Sequence, residues 1–187
     1  MISLTKTDFT LLGQVALHCD QQKLDIAIQE AIQFDLKGLA CDFFYDLEGN
    51  WESRNEYWVA LVYGSTYLNC RENTITFKGL KNALIYFSYS RYIMINSYDD
   101  TPNGQVTKTN QFTLPKPLKE MESYATKYKN LGLISYNESI AYVCANKDET
   151  EFSSYDFRDC KKCECSACKP HTQGRQFGLR GQNITKF

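Results

Sequence analysis

The sequence predicts a mainly α fold: a helical bundle of about four helices with a small inserted β-hairpin and an extended cysteine-rich C-terminal tail. Three observations carry this prediction. Leu80, Ala83, Leu84, Phe87, Arg91 and Met94 recur at helical spacing, while Ile85, Tyr86, Tyr89, Tyr92 and Ile93 fill most of the remaining circumference. Leu24, Ile28, Ile32, Leu36, Leu39 and Phe43 mark a second continuous helical face. Two β-prone runs, Thr66–Cys70 and Thr74–Phe77, flank Arg71-Glu72-Asn73. A helix that is apolar nearly all round must be covered on several sides. Residues 79–97 are therefore the expected central helix, packed within the chain or across a subunit boundary.

The other elements follow in order. Thr7 or Asp8 caps a short helical turn, and Asp20 caps a long helix over 21–46 that Gly49-Asn50 terminates. Ser53 opens a shorter helix to residue 63, carrying Tyr57, Trp58, Leu61 and Val62. The hairpin comes next, then the central helix, which Asp99-Asp100-Thr101-Pro102-Asn103-Gly104 stops with strong turn chemistry. Gln105 to Pro117 reads as a polar surface loop, longer than most connections in compact domains. Met121, Ala125, Tyr128, Leu131, Ile134, Ile140, Val143 and Cys144 mark a last helix over 117–146, which Gly132 kinks or splits. Beyond Lys147 the composition turns charged, then Ser-rich and aromatic, then cysteine-rich. The division is a helical domain over 1–150 and a basic, cysteine-rich tail over 151–187.

Composition excludes several function classes. The chain has 187 residues, a formal net charge of -1, 43% hydrophobic and 23% charged residues. Near-neutrality argues against a protein that holds polyanions through its overall charge. No apolar run approaches the ~20 residues of a membrane span. The start, MISLTKTDF, lacks a basic region followed by an apolar core, so cytosolic synthesis is expected. Catalytic constellations are missing as well. His18 and His171 have no evident nucleophile or acid partner, and the pairs Asp42 with Asp46 and Glu52 with Glu56 read as a solvated acidic face.

Eight cysteines fall into two groups. Cys19, Cys41, Cys70 and Cys144 lie among apolar segments, where a free cysteine behaves as a small buried hydrophobe. Cys160, Cys163, Cys165 and Cys168 cluster in the tail with His171. Tetrahedral zinc needs four such ligands. Cys160, Cys163, Cys168 and His171 form one set, and Cys165 in place of His171 gives another. Free thiols and disulfides remain the competing readings. The surrounding Arg158, Lys161, Lys162, Lys169, Arg175, Arg180 and Lys186 outnumber Asp156, Asp159 and Glu164. A zinc-knuckle-type module contacting nucleic acid through this tail is therefore the alternative function. Asn183 to Phe187 is a short β-prone segment able to extend a neighbour's sheet.

The run Gln33-Phe-Asp-Leu-Lys-Gly-Leu39, the segment Phe77-Lys-Gly-Leu-Lys-Asn-Ala-Leu-Ile-Tyr86, then Tyr89-Ser-Arg-Tyr92 and Thr101-Pro-Asn-Gly-Gln-Val-Thr-Lys108 together set an order of features. Over about residues 1–150 that order resembles head-to-tail connector proteins, the neck-ring adaptors of tailed phages of Bacteroidetes and crAss-like phages. The resemblance implies a non-enzymatic virion structural protein, assembled in the host cytoplasm as a homo-oligomeric ring of about twelve subunits. Such a ring docks below the portal protein, contacts other neck and tail proteins and lines the channel through which DNA leaves. It requires no cofactor and no membrane; the resemblance does not extend to the cysteine tail, where a structural zinc is one reading of the cluster itself. The expected interface residues are Tyr86, Tyr89, Tyr92, Thr101, Pro102, Gly104, Phe112, Leu114, Phe152, Tyr155, Phe157, Ile184 and Phe187. Phe112, Leu114 and the tail beyond Phe152 are expected to order only in the assembly.

Overall fold

The computed structural model describes residues 3–12, 20–51, 55–69, 71–101, 104–107, 117–147 and 151–154. The chain folds as a mainly helical bundle with small antiparallel hairpins. Helix α1 spans Gln21–Glu30, and the helical path continues through a π-turn at Ala31–Leu36 into α2 at Lys37–Ala40. Helix α3 covers Phe43–Asn50 and α4 covers Glu56–Tyr63. Strands β1 (Ser65–Leu68) and β2 (Thr74–Phe77) pair antiparallel from Ser65↔Phe77 to Leu68↔Thr74. Central helix α5 runs over Gly79–Ile95. Strands β3 (Tyr98–Thr101) and β4 (Gly104–Thr107) form a second hairpin, and α6 spans Leu118–Ala145.

Helix α5 is buried on nearly every side. Leu80, Ala83, Leu84, Ile85, Phe87, Ser88, Tyr89, Ser90 and Tyr92 all lie inside, covered by α1, α4 and α6. The expected central helix is thus sheathed within the chain itself. Helix α6 packs on it antiparallel, as shown by Asn82 Nδ2 donating to Ser135 Oγ at 3.0 Å and Ser90 Oγ donating to the Ala125 carbonyl at 2.7 Å. Gly132 does not split α6. It lies against Phe87, whose ring would be 2.6 Å from any added Cβ, so the missing side chain lets the two helices approach.

The expected single helix over 21–46 is divided. Asp20 caps it by accepting from the Lys23 N–H, as the sequence suggests. At Ala31 the helix widens, and Lys37 N–H bonds to the Ile32 carbonyl five residues back. A wider turn rotates less per residue than an α-turn. Leu36 is thereby carried back onto the apolar face, and Asp35 moves from its centre to its flank. The same shift puts Ala40 in the core and leaves Leu39, expected on the buried stripe, 39% exposed. Cys41 ends α2 with φ 49 and is exposed, contrary to the buried thiol expected there. Cys144 is disulfide-bonded.

Smaller corrections have local causes. Asn55, not Ser53, caps α4, accepting from the Tyr57 N–H at 2.9 Å. The segment Lys6–Leu12 is a 3-10 helix opened by Thr5, whose N–H and hydroxyl donate to the Asp8 carboxylate. Lys81 of α5 reaches the same carboxylate at 2.7 Å. Burial by itself would raise the Asp8 carboxyl; the bonds from Lys81 and Thr5 outweigh it and hold the group below its ordinary value. Tyr98–Thr101 and Gly104–Thr107 are paired strands, Tyr98 with Thr107 and Thr101 with Gly104, where a turn and the start of a loop were expected.

The hairpin β1–β2 is clamped where its ends meet. Gly64 and Gly79 both have positive φ, and a Cβ on Gly79 would fall on the Val62 carbonyl and the Gly64 nitrogen. Beyond α6, the domain does not end at residue 150. Phe152, on the 3-10 turn Glu151–Ser154, is 0% exposed and packs edge-on against Trp58 at 5.1 Å and Tyr142 at 6.2 Å. Phe43 stacks on Trp58, and Phe77 stacks on Tyr142, so one aromatic cluster joins α3, α4, β2, α6 and the segment after it.

Two substitutions separate these effects. Gly132→Ala forces the wholly buried Phe87 ring aside and should lower stability by about 1–3 kcal/mol. Gly38→Ala on α2, where a Cβ meets nothing within 4 Å, should raise it by about 0.5–1 kcal/mol. Thermal denaturation of the pair tests both. Asp8 gives a pH prediction: its lowered pKa contributes stability that is fully present above the unfolded carboxyl range and is lost as pH falls through the folded value. Asp8→Asn should therefore destabilise near neutral pH and flatten the loss of stability below about pH 4.

Candidate functional site

The charged residues that the fold brings together lie where α1, α5 and α6 meet, towards the C-terminal end of α5. Arg91 projects from α5 and donates through Nε to Asp35 Oδ2 at 2.6 Å and through Nη1 to Glu30 Oε2 at 3.0 Å. Phe34 lies over the guanidinium, 5.4 Å from ring centroid to carbon, although it is itself 64% exposed. Lys129 of α6 stands 3.9 Å from Asp35 Oδ1, close enough for an ion pair and too long for a hydrogen bond. These groups line a cleft of ≈ 330 Å³ together with Ser90, Met94, Ile95 and Tyr98.

Each partner is placed by its own helix. Asp35 is a carboxylate only 9% exposed, delivered to the flank of the core by the π-turn. Arg91 sits one residue beyond Ser90, whose hydroxyl ties α5 to α6. The two carboxylates and direct hydrogen bonding hold the Arg91 guanidinium more firmly charged, raising its pKa; Asp35 is the largest contributor and burial opposes it. Lys23 of α1 closes the same end of α5, donating to the Tyr98 carbonyl at 2.6 Å and reaching the Ile95 carbonyl at 3.4 Å. A cation at a helix C-terminus satisfies carbonyls that the helix leaves unpaired.

A tyrosine cluster lies along the α5–α6 contact. Tyr89 meets Tyr128 edge-on at 4.7 Å, while Tyr86 stacks on Tyr128 and Tyr89 on Tyr92. Burial, then the neighbouring Tyr128 and Tyr92, raises the Tyr89 pKa. Near the hairpin, burial followed by Tyr57 and Glu56 pushes Tyr142 up to about 12, and burial followed by Cys41 raises Tyr136. These phenols stay protonated at neutral pH and act as packing groups with a polar tip.

The expected interface residues divide on inspection. Tyr89, Tyr92 and Phe152 are buried inside the chain, and Tyr86 is half-buried beside Tyr128. Their surface is spent on the core. Thr101 pairs with Gly104 at the end of the second hairpin. Pro102, Phe112, Leu114, Tyr155, Phe157, Ile184 and Phe187 lie outside the described residues, as do Cys160, Cys163, Cys165, Cys168 and His171. Among the described residues no group of histidine, cysteine or carboxylate side chains is placed to hold a metal ion. No helix among them is long and apolar enough to cross a membrane.

Sequence reasoning missed the Asp35–Arg91 pair. Arg91 counted as one member of an apolar stripe, and Asp35 lay unremarked between Phe34 and Leu36. The available signal was an arginine on an otherwise apolar helix, which demands a buried acid; its partner 56 residues away carried no local mark.

These features define a mainly helical bundle with a charged cleft at one end of its central helix. Within that class, the chain belongs to the DUF6712 family, a family of unknown function, which matches residues 36–165. The match runs past Phe152 and stops ahead of Cys168 and His171. No curated protein and no solved structure matches the chain.

Removing Arg91 leaves the Asp35 carboxylate buried without its partner. Arg91→Ala should cost about 2–4 kcal/mol, while Arg91→Met with Asp35→Leu should recover most of that loss. Urea denaturation of the single and double variants measures the difference.

Proposed function

We propose that this protein is a structural subunit of a phage virion, a head-to-tail connector that assembles as a ring below the portal, links capsid to tail and lines the DNA exit channel. Its role is assembly rather than catalysis, and its place is the neck of the particle. The observation that carries this reading is the distribution of exposed large apolar side chains along α5. Tyr63, exposed, lies beside Lys81 near the N-terminal end of α5, and Phe34, exposed, lies beside Arg91 in its C-terminal half. A cyclic ring of identical subunits needs two different, complementary patches on each copy. Exposed aromatic side chains at two separate places along α5, Tyr63 and Phe34, suit that requirement.

The order of sequence features that resembles neck-ring adaptors supports the same reading. Near-neutral charge suits a channel wall, since a wall that neutralised many phosphates would hold DNA instead of letting it pass.

Size-exclusion chromatography with light scattering, on the chain alone and with portal protein, tests the proposal. The expected outcome is a discrete ring of about twelve copies of the 21.6 kDa chain, formed alone or on the portal. A monomer under both conditions overturns it. So does stoichiometric zinc with tight, steeply salt-dependent DNA binding and no assembly, the behaviour of a nucleic-acid module.

A further inference from the structure

We infer that the outer edge of β1 receives the C-terminal segment Asn183 to Phe187 of a neighbouring copy as an added strand, making a contact that closes the ring. This rests on the assembly proposed above and names a donor and an acceptor for it.

The first hairpin leaves that edge open. In an antiparallel pair, residues that bond the strand opposite alternate with residues whose backbone groups point away from it. The Asn69 N–H donates to the Asn73 carbonyl at 3.0 Å, and this fixes the alternation. Tyr67 and Ile75 bond within the ladder, while Thr66 and Leu68 turn their N–H and C=O groups outward. Both residues are exposed. Among the described residues no strand lies beyond β1 and no backbone group takes those bonds.

The edge also lacks the devices that stop strands from pairing, which are chiefly charge and proline. From Tyr57 to Cys70 the chain carries no charged residue and no proline. By contrast, β2 lies between Arg71-Glu72 and Lys78, and β3 contains Asp99 and Asp100. Of these strands, β1 is the one suited to a partner.

The occupant follows from where the chain leaves the bundle. Phe152 packs on Tyr142, whose ring lies 5.6 Å from Tyr67 of β1 and 4.7 Å from Phe77 of β2. The chain therefore departs beside the hairpin. Residues 155–182 follow, and as a flexible tether they reach about 30 Å, the width of a small domain. That carries Asn183 to Phe187 to an adjacent copy. The segment is β-prone, with Lys186 as its one charged side chain. In a strand Ile184 and Phe187 fall on opposite faces. Each face of β1 offers an apolar neighbour: Tyr67 on the inner face and Leu68, 64% exposed, on the outer. Backbone bonds then supply affinity and the two apolar residues supply choice. A strand given by one copy and an edge offered by the next are different surfaces, as a heterologous ring contact requires.

The test compares the full-length chain with a chain ending at Gln182 and with Thr66→Pro. The proline removes an outward N–H and leaves the ladder bonds of Tyr67 and Ile75 intact; circular dichroism confirms folding. Mass photometry should show each variant assembling with a dissociation constant raised about tenfold or more. Mixing the two should recover pairing, because the shortened chain keeps the edge and the Thr66→Pro chain keeps the strand. Hydrogen exchange adds a local readout: the Thr66 and Leu68 amides should exchange about tenfold or more slowly in the assembled full-length chain than in the shortened one. Full affinity in either variant, no recovery on mixing, or equal exchange of the two amides overturns the contact while leaving the ring standing. Protection that survives dilution to single copies shows each tail covering its own edge, which also overturns it. A full-length chain that is monomeric alone and with portal removes the ring and this contact together.

Discussion

A helix that is apolar around most of its circumference cannot face water, and α5 imposes that constraint on the whole chain. Burying Leu80, Leu84, Ile85 and Phe87 along different sides of one cylinder requires partners on each side, which α1, α4 and α6 provide. Each buried large side chain contributes about 1.5–3 kcal/mol of hydrophobic stabilisation, so leaving any flank open would forfeit a sizeable part of the net stability. The covering helices then have requirements of their own. Helix α6 comes close enough only because position 132 is glycine, and α1 keeps its apolar face on α5 only because the π-turn resets its rotation.

That reset also places the charged cleft. A widened helical turn is a means of keeping one face in register past a residue that does not belong at its centre, and Asp35 is that residue. Moved to the flank, it meets Arg91, and the pair joins α1 to α5 at a defined height. Buried ion pairs add little net stability compared with well-packed apolar side chains, so their value lies in alignment. Here the alignment brings Glu30, Lys129 and the exposed Phe34 to one mouth.

Much of the helical plan was legible in the chain. The span of α5, the Asp20 cap, the first hairpin and the length of α6 follow from periodicity and turn chemistry, which are properties of neighbouring residues. The site was much less so. Asp35 and Arg91 are 56 residues apart, and neither carries a motif. Phe152 read as part of a polar, Ser-rich tail because its neighbours Glu151 and Ser153 are polar; its contacts with Trp58, far away in sequence, and with Tyr142 on the preceding helix reveal it as core. Tyr89 and Tyr92 looked equally suited to a core or an interface, since tyrosine serves in both places.

What the sequence by itself determined is therefore the set of helices, their order and the helix that had to lie in the middle. Spacing along the chain is enough for that, because a helix places residues three and four apart on one face wherever it forms. The tertiary structure decided which side chains that middle helix consumed, where the π-turn fell, and that the domain continues to Phe152. It also decided that an arginine on α5 would gather charges from three helices. Those outcomes depend on contacts between residues dozens of positions apart, and such contacts exist only once the chain has closed around α5.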